Sequence, residues 1–316
     1  MTVPGLDLDR LAARLSEAGV THGPLTAELI EGGRSNLTYV VRDADRTVVV
    51  RRPPLGHVLA TAHDMGREFR VMGALRDTDV PVPRMYHFCD DVEVVGAPFY
   101  VMEHVEGAPT RLTPEVGDHL AGVLARLHVI DPAAVGLGDF GRPEGFLDRQ
   151  VKRWKRQLDA SRSREVAGID ELFARLAGDV PVSGAPAIVH GDFKLGNTLI
   201  RDGRVRAVLD WEMSTLGDPL TDVALFLLYS DFPHLDVGGL DLGGEVDVAA
   251  LAARYASESG RDVSRLGWYV GLACFKLAVI TEGIHFRFTQ GLTVGAGFAD
   301  IGDIVAPLVE RGLREV

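Results

Sequence analysis

The chain is poor in cysteine: its 316 residues include two, Cys89 and Cys274. Neither a disulfide framework nor a thiolate metal site is built from a distant pair, so both are expected to be reduced core residues of a cytoplasmic protein. Positive charge is also scarce. With 33 Lys and Arg against 45 Asp and Glu, the formal net charge is −12; general binding to nucleic acid or to an anionic membrane rewards the opposite balance, so neither partner is expected. The excess acid suits a cationic substrate or simple solubility. No apolar run is expected to reach the ~18 residues of a membrane span, and the N-terminal MTVPGLDLDRLAARL lacks the basic and apolar regions of a leader, so a soluble chain is expected. The Gly-x-x-x-x-Gly-Lys-Ser/Thr pattern is missing as well, which disfavours a P-loop nucleotide hydrolase. What remains is a hydrophobic content of 46%, enough for a sizeable core in one large domain or two lobes.

The informative stretch runs from Ala187 to Glu212. An apolar lead-in, Ala187 to Val189, delivers His190-Gly191-Asp192, and Asn197 follows five residues after Asp192. Thr198 to Ile200 and Val205 to Leu209 are short apolar runs around Arg201-Asp202-Gly203-Arg204, and Asp-Gly is a preferred hairpin dipeptide. The hairpin is expected to fold Asp210 back towards Asn197. Asp-x-x-x-x-Asn with an aspartate after the next strand resembles the catalytic loop and metal aspartate of protein kinases, with His-Gly-Asp in place of His-Arg-Asp. Phosphoryl transfer needs Mg²⁺ held by hard oxygens, for which Asn197 and Asp210 qualify. Asp192 is then the group that orients an acceptor hydroxyl and takes its proton. Asp and Asn also cap turns; it is the combination at this spacing that favours chemistry.

HGDFKLGN followed by VLDWE resembles the aminoglycoside phosphotransferase, or choline kinase-like, family. Ser214-Thr215-Leu216-Gly217-Asp218-Pro219-Leu220-Thr221-Asp222-Val223-Ala224 is similar to the branch found fused to acyl-CoA dehydrogenases. The likeness runs from about residue 28 to the C-terminus. It implies a protein kinase-like two-lobed α+β fold, with a small antiparallel β-sheet lobe over residues 1–105 and a mostly helical lobe over 106–316. It also implies ATP (or GTP) and Mg²⁺ as cofactors, and a small-molecule substrate bearing a hydroxyl group.

The first lobe is expected to open with an amphipathic helix on Leu8, Leu11 and Leu15, ending near Gly19. Strands follow at 25–30, 37–42 and 47–51. Between the first two, Gly33, Ser35 and Asn36 can turn polar groups towards phosphate oxygens, although Gly-Gly before a polar pair is also an ordinary turn. The third strand ends on Arg51, where kinases place a phosphate-gripping lysine, and Glu68 on the next helix, 65–76, stands where its ion partner is found. The two are expected to form a bidentate pair, with Arg52 on the opposite face. Strands at 84–88 and 99–104 complete a five-stranded antiparallel sheet. The resemblance places adenine against backbone groups of Glu103 and Val105, with Met102 at the back.

Residues 113–129 read as a helix with Val116, Leu120, Val123, Leu124 and Leu127 on one face. Gly136-Leu137-Gly138-Asp139-Phe140-Gly141 fits Gly-x-Gly-x-x-Gly and contains Asp-Phe-Gly, yet no strand precedes it and Asp139 comes before the catalytic loop, so it reads as a loop. Asp218-Pro219 opens an apolar helix, with Asp222 one turn in, placed to brace the catalytic loop. The acidic, Gly-rich stretch 231–247 reads as a solvated loop or a lip beside the acceptor. The segment 266–288, with Lys276 and Glu282, reads as a buried helix with one polar face. Two rival functions stay open: a nucleotide-binding module without catalysis, suggested by Arg51, and a metal-dependent phosphoesterase using His190, Asp192 and Asp210.

Overall fold

A computed structural model describes residues 3–30, 36–56, 64–108, 110–232, 246–292 and 300–316. The chain divides into two compact units, Met1–Ala108 with Thr198–Ser214, and Pro109–Asn197 with Thr215–Val316.

In the first unit, helix α1 (Leu8–Glu17) is capped by Asp7, whose side chain accepts from the Arg10 amide, and buries Leu11 and Leu15. The strands are β1 (Thr26–Leu29), β2 (Leu37–Arg42), β3 (Thr47–Arg52), β4 (Met85–Cys89) and β5 (Phe99–Glu103). They form an antiparallel sheet in the order β1-β2-β3-β5-β4. Because side chains alternate along a strand, the sheet has two distinct faces. Tyr39, Val41, Val48, Val50, Phe99 and Val101 pack with Leu11 and Leu15 into a core. The other face carries Val49, Arg51, Tyr100 and Met102, with Arg51 directly opposite Tyr100 and Val49 opposite Met102. Helix α2 (Met65–Leu75), capped by Asp64, buries Met65, Glu68, Val71, Met72 and Leu75, so one carboxylate stands inside a stripe that is otherwise apolar. A single turn, α3 (Val92–Val95), joins β4 to β5.

The hairpin of β7 (Thr198–Arg201) and β8 (Arg204–Val208) belongs to this unit. Arg201 pairs with Arg204, and the intervening Asp202 and Gly203 have φ of 53° and 69°. Two positive φ values are what a type I′ turn requires, and Asp-Gly accepts them at low cost. Mutual backbone bonds between Ala108 and Ile200, and one from the Val208 amide to Pro81 O, fix the hairpin in place.

The second unit is built around α9 (Leu266–Thr289), which packs against α5 (Phe146–Ser161), α6 (Ile169–Gly178), α7 (Leu220–Asp231) and α10 (Val305–Glu315). Helix α4 (Pro114–Val129) lies against α8 (Val248–Ser259) and a two-stranded ribbon of β6 (Ala187–Val189) and β9 (Thr215–Gly217). Contrary to the expectation from run length, α9 is long and apolar enough to cross a bilayer by composition; 72% of its most apolar window is nevertheless buried inside the protein. Three of its polar side chains have protein partners. The Tyr269 hydroxyl donates to Asp218, Lys276 donates to Gly191 O, and Glu282 accepts from Ser163 and Arg164. Residues 136–141 form turns that bury Leu137 and Phe140, as expected of a loop. Most of the acidic stretch 231–247 lies outside the described residues.

Candidate active site

In the first unit the polar centre is Arg51. Its Nε lies 3.6 Å from Glu68 Oε2, and its Nη2 donates to Asp210 Oδ1. The expected bidentate pair with Glu68 is therefore not formed; the guanidinium fork is divided between two carboxylates that reach it from different elements. Glu68 is fully buried and further held by the Tyr100 hydroxyl (2.9 Å) and Asn36 Nδ2 (3.1 Å). The same Asn36 nitrogen lies 3.4 Å from Glu212 Oε2, and Arg67, beside Glu68, donates to Ser214 O. Burial pushes the Glu68 carboxyl up to about 7 against the opposing pull of Arg51 and the Tyr100 hydroxyl. Burial likewise works against the charge on Arg51, but the groups around it, Tyr100, Glu68 and Asp210, hold its pKa above the ordinary value.

Asp210 has φ 68° and ψ 56°, a left-handed conformation that costs a non-glycine residue roughly 1–2 kcal/mol. Such strain is characteristic of functional positions. It sits between β8 and the 3-10 turn Trp211–Met213. Trp211 is fully buried and donates to Val208 O, which anchors the turn.

Of the residues expected to meet the nucleotide, Met102 is buried on the Arg51 face of the sheet. The Glu103 amide donates to Arg84 O and its carboxylate accepts from the Arg84 amide. Val105 is half-buried beyond the end of β5. Asn36 turns inward to Glu68. Gly33 and Ser35 lie outside the described residues. Arg52 points to the opposite face, where it donates to Gly5 O and Val95 O; it is a structural arginine with carbonyl partners of its own.

In the second unit, β6 leads into His190 and the chain turns through Gly191, with φ 86°, into Asp192. Asp222 grips the turn: its two carboxylate oxygens accept the His190 amide at 2.6 Å and the Gly191 amide at 2.8 Å. The His128 ring, 3.4 Å away, is the third partner, and its other nitrogen meets the Tyr255 hydroxyl at 2.9 Å. Since Asp222 only accepts, the His128 proton is assigned to Nε2 and Nδ1 receives from Tyr255. Burial would raise the Asp222 carboxyl, but His128, His190 and the Gly191 amide hold it below the ordinary range. Burial in turn holds His128 below its ordinary value.

Asn197 Nδ2 donates to Asp192 O at 2.9 Å and to Asp192 Oδ2 at 3.0 Å. Asp192 is thus fixed by the residue five positions on, and Asn197, its nitrogen engaged, presents Oδ1 as the atom able to bind a cation. Lys194 Nζ stands 3.4 Å from Asp192 Oδ2 and over the Tyr229 ring. His190 is fully buried, with Nδ1 towards the Asp192 amide and its ring against Phe193, which suits a packing role better than metal ligation. Sequence reading passed over Lys194, Tyr100, Glu212 and His128. The lysine two residues after Asp192 was visible as a charge; the other three meet their partners only through the fold.

A five-stranded antiparallel sheet with one helix-borne carboxylate, followed by a mostly helical unit carrying His-Gly-Asp-x-x-x-x-Asn, defines a kinase-like phosphotransferase fold. Residues 26–266 match the phosphotransferase enzyme family, and the chain belongs to it. A candidate aminoglycoside phosphotransferase from Ralstonia eutropha superposes with a TM-score of 0.85 at 33% identity, covering 98% of both chains. The chicken (Gallus gallus) acyl-CoA dehydrogenase family member 11 is 34% identical over 314 residues, which is 92% of this chain and 40% of the longer protein. The chain thus spans about two-fifths of that relative. A thermostable mutant of an aminoglycoside phosphotransferase in ternary complex with ADP and hygromycin B shares the fold, with a TM-score of 0.61 at 15% identity and coverage of 96% of this chain and 97% of the other.

Proposed function

We propose that this protein transfers the γ-phosphoryl group of ATP, or GTP, to a hydroxyl group of a small molecule in a Mg²⁺-dependent reaction. The observation that carries the reading is the grip of Asn197 on Asp192 within a turn anchored by Asp222. It holds one carboxylate in a single orientation, as a group that must accept a proton from an aligned hydroxyl requires. Asn197 Oδ1 and the Asp210 carboxylate are each a hard oxygen of the kind that would bind Mg²⁺. When bound, the ion would neutralise charge developing on the phosphate oxygens. Arg51, fixed by Glu68, supplies the cation for the nucleotide phosphates, and the carbonyl of Glu103, the backbone of Val105 and the side chain of Met102 serve the base.

For the acceptor we favour a hydroxyacid or hydroxyacyl thioester over an aminoglycoside or amino alcohol, because a relative covering nearly all of this chain is named for acyl-CoA dehydrogenation. The phosphoesterase alternative is disfavoured by the packing of His190. The test is acceptor-dependent ADP release from MgATP across hydroxy fatty acids, their thioesters, amino alcohols and hygromycin B. Release above the slow background with water is expected with the hydroxyacyl compounds alone. Phosphate ester hydrolysis without ATP would overturn the reading.

A further inference from the structure

Lys276 lies in the middle of α9, between the buried Phe275 and Leu277. Lys276 is half-buried, so its ammonium group gives up part of its hydration, which a partner in the protein replaces. Here Nζ donates to the Gly191 carbonyl at 2.9 Å and stands 5.8 Å from the centre of the Trp154 ring. The carbonyl belongs to the peptide that joins Gly191 to Asp192. At the other end of that peptide, the Asp192 amide points to His190 Nδ1 at 3.3 Å. The preceding peptide is held by its N–H on Asp222 at 2.8 Å. Successive peptides of the turn are therefore gripped by charges of opposite sign, the carboxylate on an N–H and the ammonium on a C=O.

This grip matters because of the residue between the two peptides. Gly191 has φ 86°, and a glycine passes between backbone conformations of either hand with little steric resistance. Besides the long 3.3 Å contact of its N–H with His190 Nδ1, the Gly191–Asp192 peptide is held against rotation about its flanking bonds by the 2.9 Å bond on its carbonyl. Rotation would re-aim the Asp192 side chain and pull it from Asn197. Asp222 cannot prevent this, since it holds the peptide before.

We propose that Lys276 is a positioning residue: by holding the Gly191 carbonyl it locks the Gly191–Asp192 peptide and so fixes the direction of the Asp192 carboxylate. The proposal rests on the reading of Asp192 as the proton acceptor, but the lock itself can be measured without any turnover. Burial draws the Lys276 pKa below its ordinary value, and the carboxylates of Asp192 and Asp222 oppose that pull.

The experiment compares the full chain with Lys276→Met and Lys276→Arg by hydrogen–deuterium exchange and by ADP release from MgATP with water as the acceptor. In Lys276→Met, which keeps the length of the stem without its charge, residues 187–197 should exchange about tenfold faster while the rest of α9 keeps its wild-type protection. ADP release should fall about 10–100-fold at unchanged KM for ATP, as expected when a reacting group is misplaced by a fraction of its reach. Lys276→Arg, which restores a cationic donor, should recover both. Wild-type exchange over 187–197 in Lys276→Met overturns the lock, whatever the kinetics. Lost ADP release with wild-type exchange also overturns it, by making Lys276 a group that acts on the reactants directly. A wild-type protein that releases no ADP with any acceptor overturns the phosphotransferase reading, while the exchange comparison still decides the lock. Should Lys276→Met fail to fold, Lys276→Gln replaces it in the same measurements, and unchanged exchange over 187–197 there overturns the proposal.

Discussion

Arg51 and Asp210 are hydrogen-bonded across 159 residues of sequence. The contact places the aspartate expected to serve a metal against the arginine expected to serve a phosphate, with Glu68 holding the same guanidinium from the α2 side. Loss of either neighbour leaves Arg51 half engaged, so the three side chains are one electrostatic unit within the first unit of the chain.

Replacing Arg51 by Met leaves the fully buried Glu68 without its cation. Breaking a buried pair in this way costs about 3–5 kcal/mol, to be read by denaturant unfolding. The double variant Arg51→Met/Glu68→Gln should cost less than the sum of the single changes, and both single variants should raise KM for ATP. Strict additivity would show that the pair is not coupled. Arg52→Ala should also destabilise, by about 1–3 kcal/mol through the carbonyls it leaves unpaired, but with KM for ATP unchanged because it serves the opposite face.

The pH dependence of stability carries a signature of Glu68. Its carboxyl is pushed up to about 7 from the ordinary 4.5, first by burial, so between these values the folded state holds a proton that the unfolded state has released. Stability from this group is therefore complete below about 4.5 and is lost as pH rises through about 7. Wild-type unfolding free energy, measured from pH 4.5 to 8, should fall with pH relative to Glu68→Gln. A constant difference between the two proteins would remove Glu68 as the titrating group.

Asp210 separates conformation from chemistry. Asp210→Gly relieves the left-handed strain and should leave stability within about 1 kcal/mol of wild type, whereas Asp210→Ala keeps the β-carbon and its strain without the polar group and should be less stable than the glycine variant by about 1 kcal/mol. Both should lose Mg²⁺-dependent affinity for ATP in calorimetry. Retained affinity with turnover would exclude Asp210 as a metal ligand.

Asp192→Asn keeps a carbonyl oxygen towards Asn197 but cannot accept a proton at reacting strength. Nucleotide and Mg²⁺ affinity should be preserved while turnover falls ~10²–10⁴-fold. Near-normal phosphorylation of an acceptor by this variant would sink the assigned role.

Strands β2 and β3, helices α2, α4 and α9 and the Asp202-Gly203 turn were legible because local pattern and tertiary demand agree there: alternation on a two-faced sheet, one apolar stripe per helix, a turn dipeptide that tolerates positive φ. Helices α5 and α6 were not read. Each begins at a left-handed glycine, Gly145 and Gly168, with no side chain capping the first turn, so the usual start signal is missing. The three-residue strands β6 and β9 are too short to show a period. The contact of Asn197 with Asp192 was legible because it is local, five residues apart. The further partners of Glu68 and the partner of the Gly191 carbonyl were not, since Tyr100, Asn36 and Lys276 meet them only through strand register and helix packing.

The hairpin 198–214 completes a unit whose other part ends at Ala108. During synthesis, the first 108 residues must therefore wait for the 89 residues of 109–197 before their hairpin is made. At 5–20 residues per second that wait is roughly 5–20 s. Through it, Ile200 is not yet there for Ala108, nor Val208 for Pro81, nor Asp210 for Arg51. A chain cut at Ala108 would be held in that unfinished state permanently, and Arg51, with Asp210 never made, would face its buried glutamate alone.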